Sequence, residues 1–147
     1  MSVAQATVED LGDIVPLFDA YRQFYKQPTD LDAARAFLLD RFEHQQSVLF
    51  LARDDRGAAV GFTQLYPSFS STSLRRIYVL NDLYVRPEAR GQHVGVALLE
   101  AAAAYGRKTG AARLTLRTAT DNLRAQGVYE AAGWRRDEAF LTYDLPL

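Results

Sequence analysis

The stretch DLYVRPEARGQHVGVALLEAA, residues 82–102, decides the fold because it joins a strand to a helix through a glycine-bearing turn. Tyr84 and Val85 near its start favour a strand, and the Arg86-Pro87 bond ends the strand, since a residue before proline is restricted in conformation. The pattern therefore predicts a strand, a turn and a helix that docks on a sheet. The apolar residues that would dock the helix recur with helical spacing at Val94, Ala97, Leu98, Ala101 and Tyr105.

The turn inside this stretch predicts an anion site. The first four N–H groups of a helix lack internal acceptors and carry the positive end of the helix dipole. Gly91 lets the backbone approach a phosphate without a Cβ in the way, and Arg90 adds a permanent charge with a bidentate donor fork. The spacing of Gly91 and Gly95 matches neither a Walker loop nor a dinucleotide fingerprint. The alternative is that Arg90 and both glycines only shape a tight turn.

Length and composition narrow the class of protein. The 147 residues predict one domain over residues 1–147. The chain has 17 basic and 18 acidic residues, so its charges nearly cancel and we expect no nucleic-acid partner. The absence of cysteine excludes disulfide frameworks and thiolate catalysis, and it fits a cytoplasmic location. There is no signal-peptide pattern and no apolar run of roughly 18 residues, so we expect no membrane partner. No His, Asp or Glu cluster has metal-ligand spacing, so we also expect no metal.

The order of elements predicts the architecture. Apolar residues at helical spacing predict helices over residues 9–25, from an N-cap at Thr29 or Asp30, over 94–108 and over 122–132. Strand patterns occur at residues 3–7, 47–53, 58–66, 76–85, 113–118 and 139–147. The resulting order β-α-α-β-β-β-α-β-α-β predicts an α/β (α+β) protein, with a mixed sheet and helices on both faces.

Two segments carry a resemblance to a known family. RGQHVGVA, which begins at Arg90, resembles the acetyl-coenzyme A loop of the GNAT acetyltransferases, although His93 stands where the family has glycine or alanine. TDNLRAQGVYEAAGW is similar to the family's Asn-x-x-Ala-x-x-x-Tyr-Glu-x-x-Gly-aromatic segment. With the strand upstream, the resemblance covers residues 81–134. It implies a GNAT fold, in which a mixed, mostly antiparallel sheet of six to seven strands is flanked by about four helices.

The resemblance also implies how acetyl-CoA, the cosubstrate, would be bound. The backbone of the strand end would pair with the pantetheine arm, as an added strand would, at Leu83, Tyr84 and Val85. The turn would hold the pyrophosphate through Arg90, Gly91, Gln92, His93, Val94, Gly95 and Val96. Further contacts with the coenzyme are implied for Asn122, Ala125 and Tyr129.

Acetyl transfer to an amine requires the amine to lose a proton. An alkyl ammonium has a pKa near 10.4, so about one in a few thousand is neutral at pH 7 and a proton acceptor is needed. Asn81 stands where similar polyamine-type enzymes have a glutamate, and its amide can orient a water but cannot accept a proton. Asp82 is the weaker catalytic hypothesis because strand alternation points it to the opposite face, where it could be a structural hydrogen-bonding group.

Tyr129 is the residue predicted to protonate the departing thiolate. A phenol keeps its proton at pH 7, and the resemblance implies that this tyrosine lies beside the coenzyme sulfur. Tyr129 also shares a helical stripe with Ala125, so simple packing is the alternative. Other aromatic residues could line an acceptor pocket or pack in the core, namely Tyr21, Phe24, Tyr25, Tyr66 and Phe69.

The leading hypothesis is an N-acetyltransferase that moves an acetyl group from acetyl-CoA to a primary amine of a small molecule, by direct attack in a ternary complex. The alternatives are acetylation of protein or histone lysines and a non-catalytic CoA-binding regulatory module. A homodimer formed through the C-terminal strand is implied by similar proteins. A polyamine acceptor would favour an acidic pocket and an amino acid an arginine near the acceptor, and the sequence fits either.

Overall fold

The computed structural model describes all residues, 1–147. The chain divides into two compact units, Met1–Arg117 and Thr118–Leu147. The second unit contains one helix, α4, at Leu123–Ala131. The first unit contains β1 Ser2–Gln5, α1 Leu11–Phe24, α2 Leu31–Glu43, β2 Val48–Arg53, β3 Ala59–Ser70, β4 Arg75–Val85, α3 Val94–Lys108 and β5 Leu114–Thr115. None of the helices combines the length and the apolar character that a bilayer span requires.

The five strands form one mixed sheet in the order β1-β2-β3-β4-β5. The first three pairings are antiparallel, and β4 and β5 are parallel because α3 carries the chain back across the sheet. This confirms the mixed, mostly antiparallel sheet and the four helices predicted above. The β4–β5 pairing is short, since it joins only Tyr78 to Leu114 and Val79 to Thr115.

The long β3–β4 pairing contains one irregularity. Gln64 pairs with Asp82 and Leu65 pairs with Leu80, so Asn81 is left without a partner on β3. One extra residue in a strand bends that strand and changes the direction of its side chains. This bulge lies at Asn81 and Asp82, the two residues of β4 that the sequence singled out as catalytic candidates.

The two faces of the sheet are covered by different helices. On one face, α1 and α2 pack on β2 and β3 around fully buried apolar side chains, including Ile14, Leu17, Leu38, Leu49 and Phe62. On the other face, the backbone of Gly61 lies against Val94 and Leu98 of α3. Asp30 caps α2 by accepting a hydrogen bond from the Ala33 N–H at 3.0 Å, which confirms one of the two predicted N-caps.

The predicted strand over residues 139–147 is wrong, and the sheet has five strands rather than six or seven. The segment has the right alternation of residues but pairs with no strand, and the side chains of Phe140 and Tyr143 are 80% and 87% exposed. The strand predicted at 113–118 shrinks to two residues. Conversely, β3 extends four residues beyond the strand predicted at 58–66, because Ser70 pairs with Arg75 at the start of β4.

We predict that Gly61→Ala destabilises the protein. A Cβ at this position would lie 2.9 Å from the backbone oxygen of Tyr84 and 3.3 Å from two side-chain atoms of α3. Overpacking of this kind costs about 1–3 kcal/mol of the free energy of unfolding, which urea denaturation would measure.

Gly12→Ala is the matched control, because a Cβ on Gly12 in α1 would meet no atom within 4 Å. Alanine is the better helix former, so this variant should gain about 0.5 kcal/mol. Equal free energies of unfolding for the two variants would contradict the close approach of β3 to α3.

Candidate functional site

A cavity in the first unit, here called the acceptor cavity, has a volume of about 430 Å³. This size lies within the range of about 300–1,000 Å³ that small-molecule sites occupy. Residues of α1, α2, β3 and β4 line it, namely Phe18, Tyr21, Arg22, Ala33, Ala34, Phe37, Tyr66, Asn81 and Asp82. The cavity therefore combines aromatic walls with one carboxylate and one guanidinium.

Asp82 is the buried carboxylate of the acceptor cavity, and only 2% of the residue is exposed. The amide nitrogen Nδ2 of Asn81 donates a hydrogen bond to Oδ1 at 2.8 Å, and Nε2 of Gln64 donates to Oδ2. Burial raises the pKa of Asp82 above its ordinary value, and these hydrogen bonds only partly oppose the rise. The carboxylate therefore takes up a proton more readily than an ordinary aspartate.

The prediction that Asn81 and Asp82 point to opposite faces is wrong. Both residues line the acceptor cavity, because the bulge at Asn81 interrupts the alternation of β4. The Asn81 side chain is held by Asp82, and the Asn81 carbonyl accepts a hydrogen bond from the Tyr21 hydroxyl at 3.1 Å.

Two of the five aromatic residues proposed for the pocket line it. Burial, followed by the nearby Asp82 charge, raises the pKa of both Tyr21 and Tyr66, so both hydroxyls stay protonated at neutral pH. The other three rings do not line the cavity and are mostly exposed, namely Phe24, Tyr25 and Phe69.

Sequence reasoning missed five residues of the acceptor cavity, namely Phe18, Arg22, Ala33, Ala34 and Phe37. Phe18 and Arg22 flank Tyr21 at helical spacing, so the signal that could have found them is their shared face of α1. Phe37 comes from α2 and stacks on Phe18 with ring centroids 5.7 Å apart. Only the packing of α1 on α2 brings this pair together, and no local pattern encodes that packing.

The turn between β4 and α3 has the features expected of an anion site. Gly91 has a φ of +75° with open space around it, and the first backbone hydrogen bond of α3 runs from the Ala97 N–H to the His93 carbonyl at 3.0 Å. The amides of the preceding helical residues, Val94, Gly95 and Val96, thus have no acceptor within the helix. The His93 side chain does not cap them. These donors fit the diphosphate of a coenzyme.

Arg90 both supports this turn and keeps donors free. Its Nε donates a hydrogen bond to the Val85 carbonyl at 2.9 Å, and its guanidinium lies 5.8 Å from the centre of the Tyr84 ring. The two terminal nitrogens make no hydrogen bond with the protein. Gln92 uses its side-chain amide on the Glu88 carbonyl at 3.3 Å.

The last part of β4 has one unpaired edge. Leu83, Tyr84 and Val85 pair with β3 on one side, but the pairing with β5 on the other side stops at Val79. The edge is therefore free to pair with an extended ligand, as a further strand would. Only the Val85 carbonyl already has a local partner, Arg90.

The second unit contains the remaining predicted residues. Asn122 is the N-cap of α4, and its side chain accepts a hydrogen bond from the Ala125 N–H at 3.2 Å. The Asn-x-x-Ala spacing thus has a local structural role. Tyr129 is half-buried, with its ring centroid 6.2 Å from that of Trp134. The coenzyme contacts and acid role of these residues stay predictions.

One group of metal-ligand residue types was overlooked in the sequence. Asp40, Glu43 and His44 lie at the end of α2 with ligand atoms within 4.8 Å of one another. All three are exposed, and Asp40 already pairs with Arg41 and His44. The helical spacing of these residues was the available signal.

Comparison with known proteins gives matches over most of the chain. The sequence profile described as Acetyltransferase (GNAT) family matches residues 13–134. The uncharacterized N-acetyltransferase YhfO of Bacillus subtilis is 47% identical over 145 residues, which cover 99% of this chain and 97% of that protein. The thialysine N-epsilon-acetyltransferase of Bos taurus is 38% identical over 74 residues, 50% of this chain and 43% of that one. A crystal structure of a probable acetyltransferase is 45% identical with a TM-score of 0.95, covering 100% of this chain and 98% of that one.

We predict that His93→Gly is more stable than His93→Ala by about 1 kcal/mol, because a left-handed conformation costs that much for a residue with a Cβ. His93 has φ +63° and ψ +15°. Urea denaturation of the two variants would measure the difference, since neither keeps the imidazole.

Gln92, which has no positive φ, provides the control. There the order should reverse, with Gln92→Ala more stable than Gln92→Gly. The same order at both positions would contradict a left-handed residue at the start of α3.

Proposed function

Because the chain belongs to the GNAT family of acetyltransferases and uses acetyl-CoA as its cosubstrate, we propose that its acceptor is the primary amine of a small molecule, which attacks the acetyl group directly in a ternary complex. The observation that carries the proposal is the acceptor cavity with the buried Asp82 carboxylate. A carboxylate of this kind can bind an ammonium group and then receive its proton.

Asp82 is the proposed general base. Burial raises the pKa of Asp82 in the direction of neutral pH, and a general base works best when its pKa is near the pH of the reaction. Asn81, which was the preferred residue on sequence grounds, instead donates a hydrogen bond that orients Asp82. Asn81 is therefore a positioning residue in this proposal.

Gln64 gives Asp82 a partner in either protonation state. Its Nε2 donates to the carboxylate, while its Oε1 is buried without a hydrogen-bond partner. A rotation of the amide by 180° would place Oε1 where it can accept a proton donated by protonated Asp82. This rotation of the Gln64 amide lowers the free energy needed to hold Asp82 protonated inside the protein.

The donor side of the proposal uses the edge and the turn. Acetyl-CoA supplies the activated acetyl group. We propose that its pantetheine arm pairs with the backbone at Leu83, Tyr84 and Val85, and its diphosphate with Arg90 and the amides of residues 91–96. The unpaired edge of β4 and the uncapped amides of α3 support this assignment. Asn122 and Ala125 are proposed as further contacts.

Tyr129 is proposed as the acid that protonates the thiolate. The support is its place in the Tyr-Glu-x-x-Gly-aromatic segment, together with a side chain that is half-buried. A phenol, with a pKa near 10, is a donor at neutral pH.

Small molecules are preferred as acceptors over protein lysines. The acceptor cavity matches a small ligand in volume, and one relative is named for acetylating thialysine, a small-molecule amine. A cytoplasmic location, which the cysteine-free composition favours, fits this proposal.

We also propose a homodimer. The apolar side chains of residues 139–147 are exposed, and an apolar surface of this kind is commonly covered by another protein chain. The alternating pattern of the segment favours pairing as a strand with a second copy of this chain.

We predict that Asp82→Asn lowers kcat/KM about 100-fold or more, because the amide cannot accept the proton of the amine. The measurement is release of free thiol from acetyl-CoA with a panel of small primary amines and a lysine peptide. In the wild type, kcat/KM should fall as pH drops through the raised pKa of Asp82, and this limb should vanish in the variant.

Stability is the control for Asp82→Asn. Because folding raises the pKa, Asp82 favours the folded state below its ordinary pKa of about 3.9, and that contribution is lost as pH rises through the folded value. Because the neutral amide avoids the cost of a buried charge, the variant should be more stable than the wild type at pH 7 and should lose this advantage as pH falls toward 4. Full turnover of a small amine by the variant would overturn the base assignment, and turnover of the peptide alone would overturn the small-molecule acceptor.

We predict that Tyr129→Phe lowers kcat about 100-fold, because the ring is kept and only the proton donor is lost. Tyr143→Phe is the matched control, since this hydroxyl belongs to an exposed tyrosine of the same unit. Single-turnover rates with acetyl-CoA and the best amine would measure the effect. Unchanged rates in the Tyr129 variant would remove the acid from the mechanism.

A further inference from the structure

The acceptor cavity contains a cation that the base mechanism does not use. Arg22 is half-buried on α1 and lines the cavity together with Asp82. It forms no ion pair and no side-chain hydrogen bond within the chain, whereas Arg53 pairs with both Asp10 and Asp13. A half-buried guanidinium has lost part of its hydration, so an anion in the cavity would be a favourable partner.

Arg22 and Asp82 do not satisfy each other. Their charged atoms are more than 4.0 Å apart, since the two residues make no ion pair. The Asp82 carboxylate accepts hydrogen bonds from Asn81 and Gln64, and the nearby Tyr21 hydroxyl also favours its ionised form. The cavity therefore presents two separate charges of opposite sign, and a ligand that matched both would carry an amine and an anion at different atoms.

The wall of the acceptor cavity shows what the rest of such a ligand would be. The uncharged lining consists mainly of aromatic rings and small apolar side chains, namely Phe18, Tyr21, Ala33, Ala34, Phe37 and Tyr66. An apolar spacer suits this wall, because burial of hydrocarbon on apolar surface is favourable. A second ammonium group does not suit it, because Asp82 is the only carboxylate in the lining and Arg22 would repel another cation.

We infer that the acceptor is an amino-carboxylate, whose amine lies at Asp82, whose carboxylate is bound by Arg22, and whose apolar spacer lies along the aromatic wall. The planar fork of Arg22 matches a carboxylate with two parallel hydrogen bonds. The inference rests on the proposed function and names its substrate class. It separates the amino-carboxylates from polyamines, which would place a second cation at Arg22.

The test compares three probes of equal chain length, 6-aminohexanoate, its neutral amide 6-aminohexanamide and 1,6-diaminohexane. Wild-type kcat/KM for the acid should exceed that for the amide and the diamine by about tenfold or more, as a charged hydrogen-bonded pair provides. Arg22→Gln should bring the acid-to-amide ratio close to one, and the loss should appear in KM rather than kcat. Arg35→Gln is the matched control, because Arg35 is an exposed arginine outside the cavity and should leave the ratio unchanged.

Calorimetry of the same probes with the coenzyme A-bound protein gives a readout that needs no turnover. One outcome is that the acid binds the wild type, binds Arg22→Gln more weakly, and yet neither it nor any other probe is acetylated. That combination would support the ligand class and overturn the proposed function. Efficient acetylation of the diamine or the amide, with the acid no better, would overturn the inference and leave the proposed function standing. An equal loss for all three probes in Arg22→Gln would show a purely structural role for Arg22 and would also overturn it.

Discussion

The pairing of β3 with β4, with its single bulge at Asn81, is the constraint on which the site depends. Register on either side of the bulge is fixed, since Leu65 pairs with Leu80 and Gln64 with Asp82. A strand without the extra residue would keep strict alternation and would put neighbouring side chains on opposite faces. The bulge instead brings both Asn81 and Asp82 to the acceptor cavity, where the first holds the second by a hydrogen bond.

Local patterns in the sequence predicted the secondary-structure elements well. Predictions that depend on the pairing of one strand with another failed. The helix over residues 94–108 and the Asp30 cap follow from neighbours in sequence, and both are observed. The strand over residues 139–147 has the same quality of local pattern but lacks a partner, so it does not form. For the same reason the bulge could not be predicted from local sequence patterns, because it depends on how two strands pair. The turn before α3 was predictable from Arg90 and its glycines, and its anion-binding role stays a prediction, whereas the cavity needed the packing of α1, α2 and β4.

The charged groups of the acceptor cavity lower the stability of the folded protein. Asp82 is buried deeply enough for its pKa to rise, which means that the folded protein disfavours the ionised form. Arg22 loses hydration without gaining a partner in the chain. The surrounding structure offsets part of this cost through Asn81 and Gln64, which donate to the carboxylate. Groups that a fold holds at a cost, and that face a cavity of ligand size, are more readily explained by binding and chemistry than by stability.

In the proposed direct transfer, the position of these groups on β4 also decides how the two substrates can meet. Asn81 and Asp82 face the acceptor cavity, and the unpaired edge at Leu83–Val85 follows directly along the same strand. With a rise of about 3.3 Å per residue, the two features are within roughly 10 Å of each other. Direct transfer needs the reacting atoms to come within about 3–3.5 Å, so the remaining alignment must come from the ligands and from the elements that hold β4 still. The close contact of Gly61 with α3 contributes to this rigidity, because it fixes β3, the neighbour of β4, against the helix whose first amides form the proposed anion site.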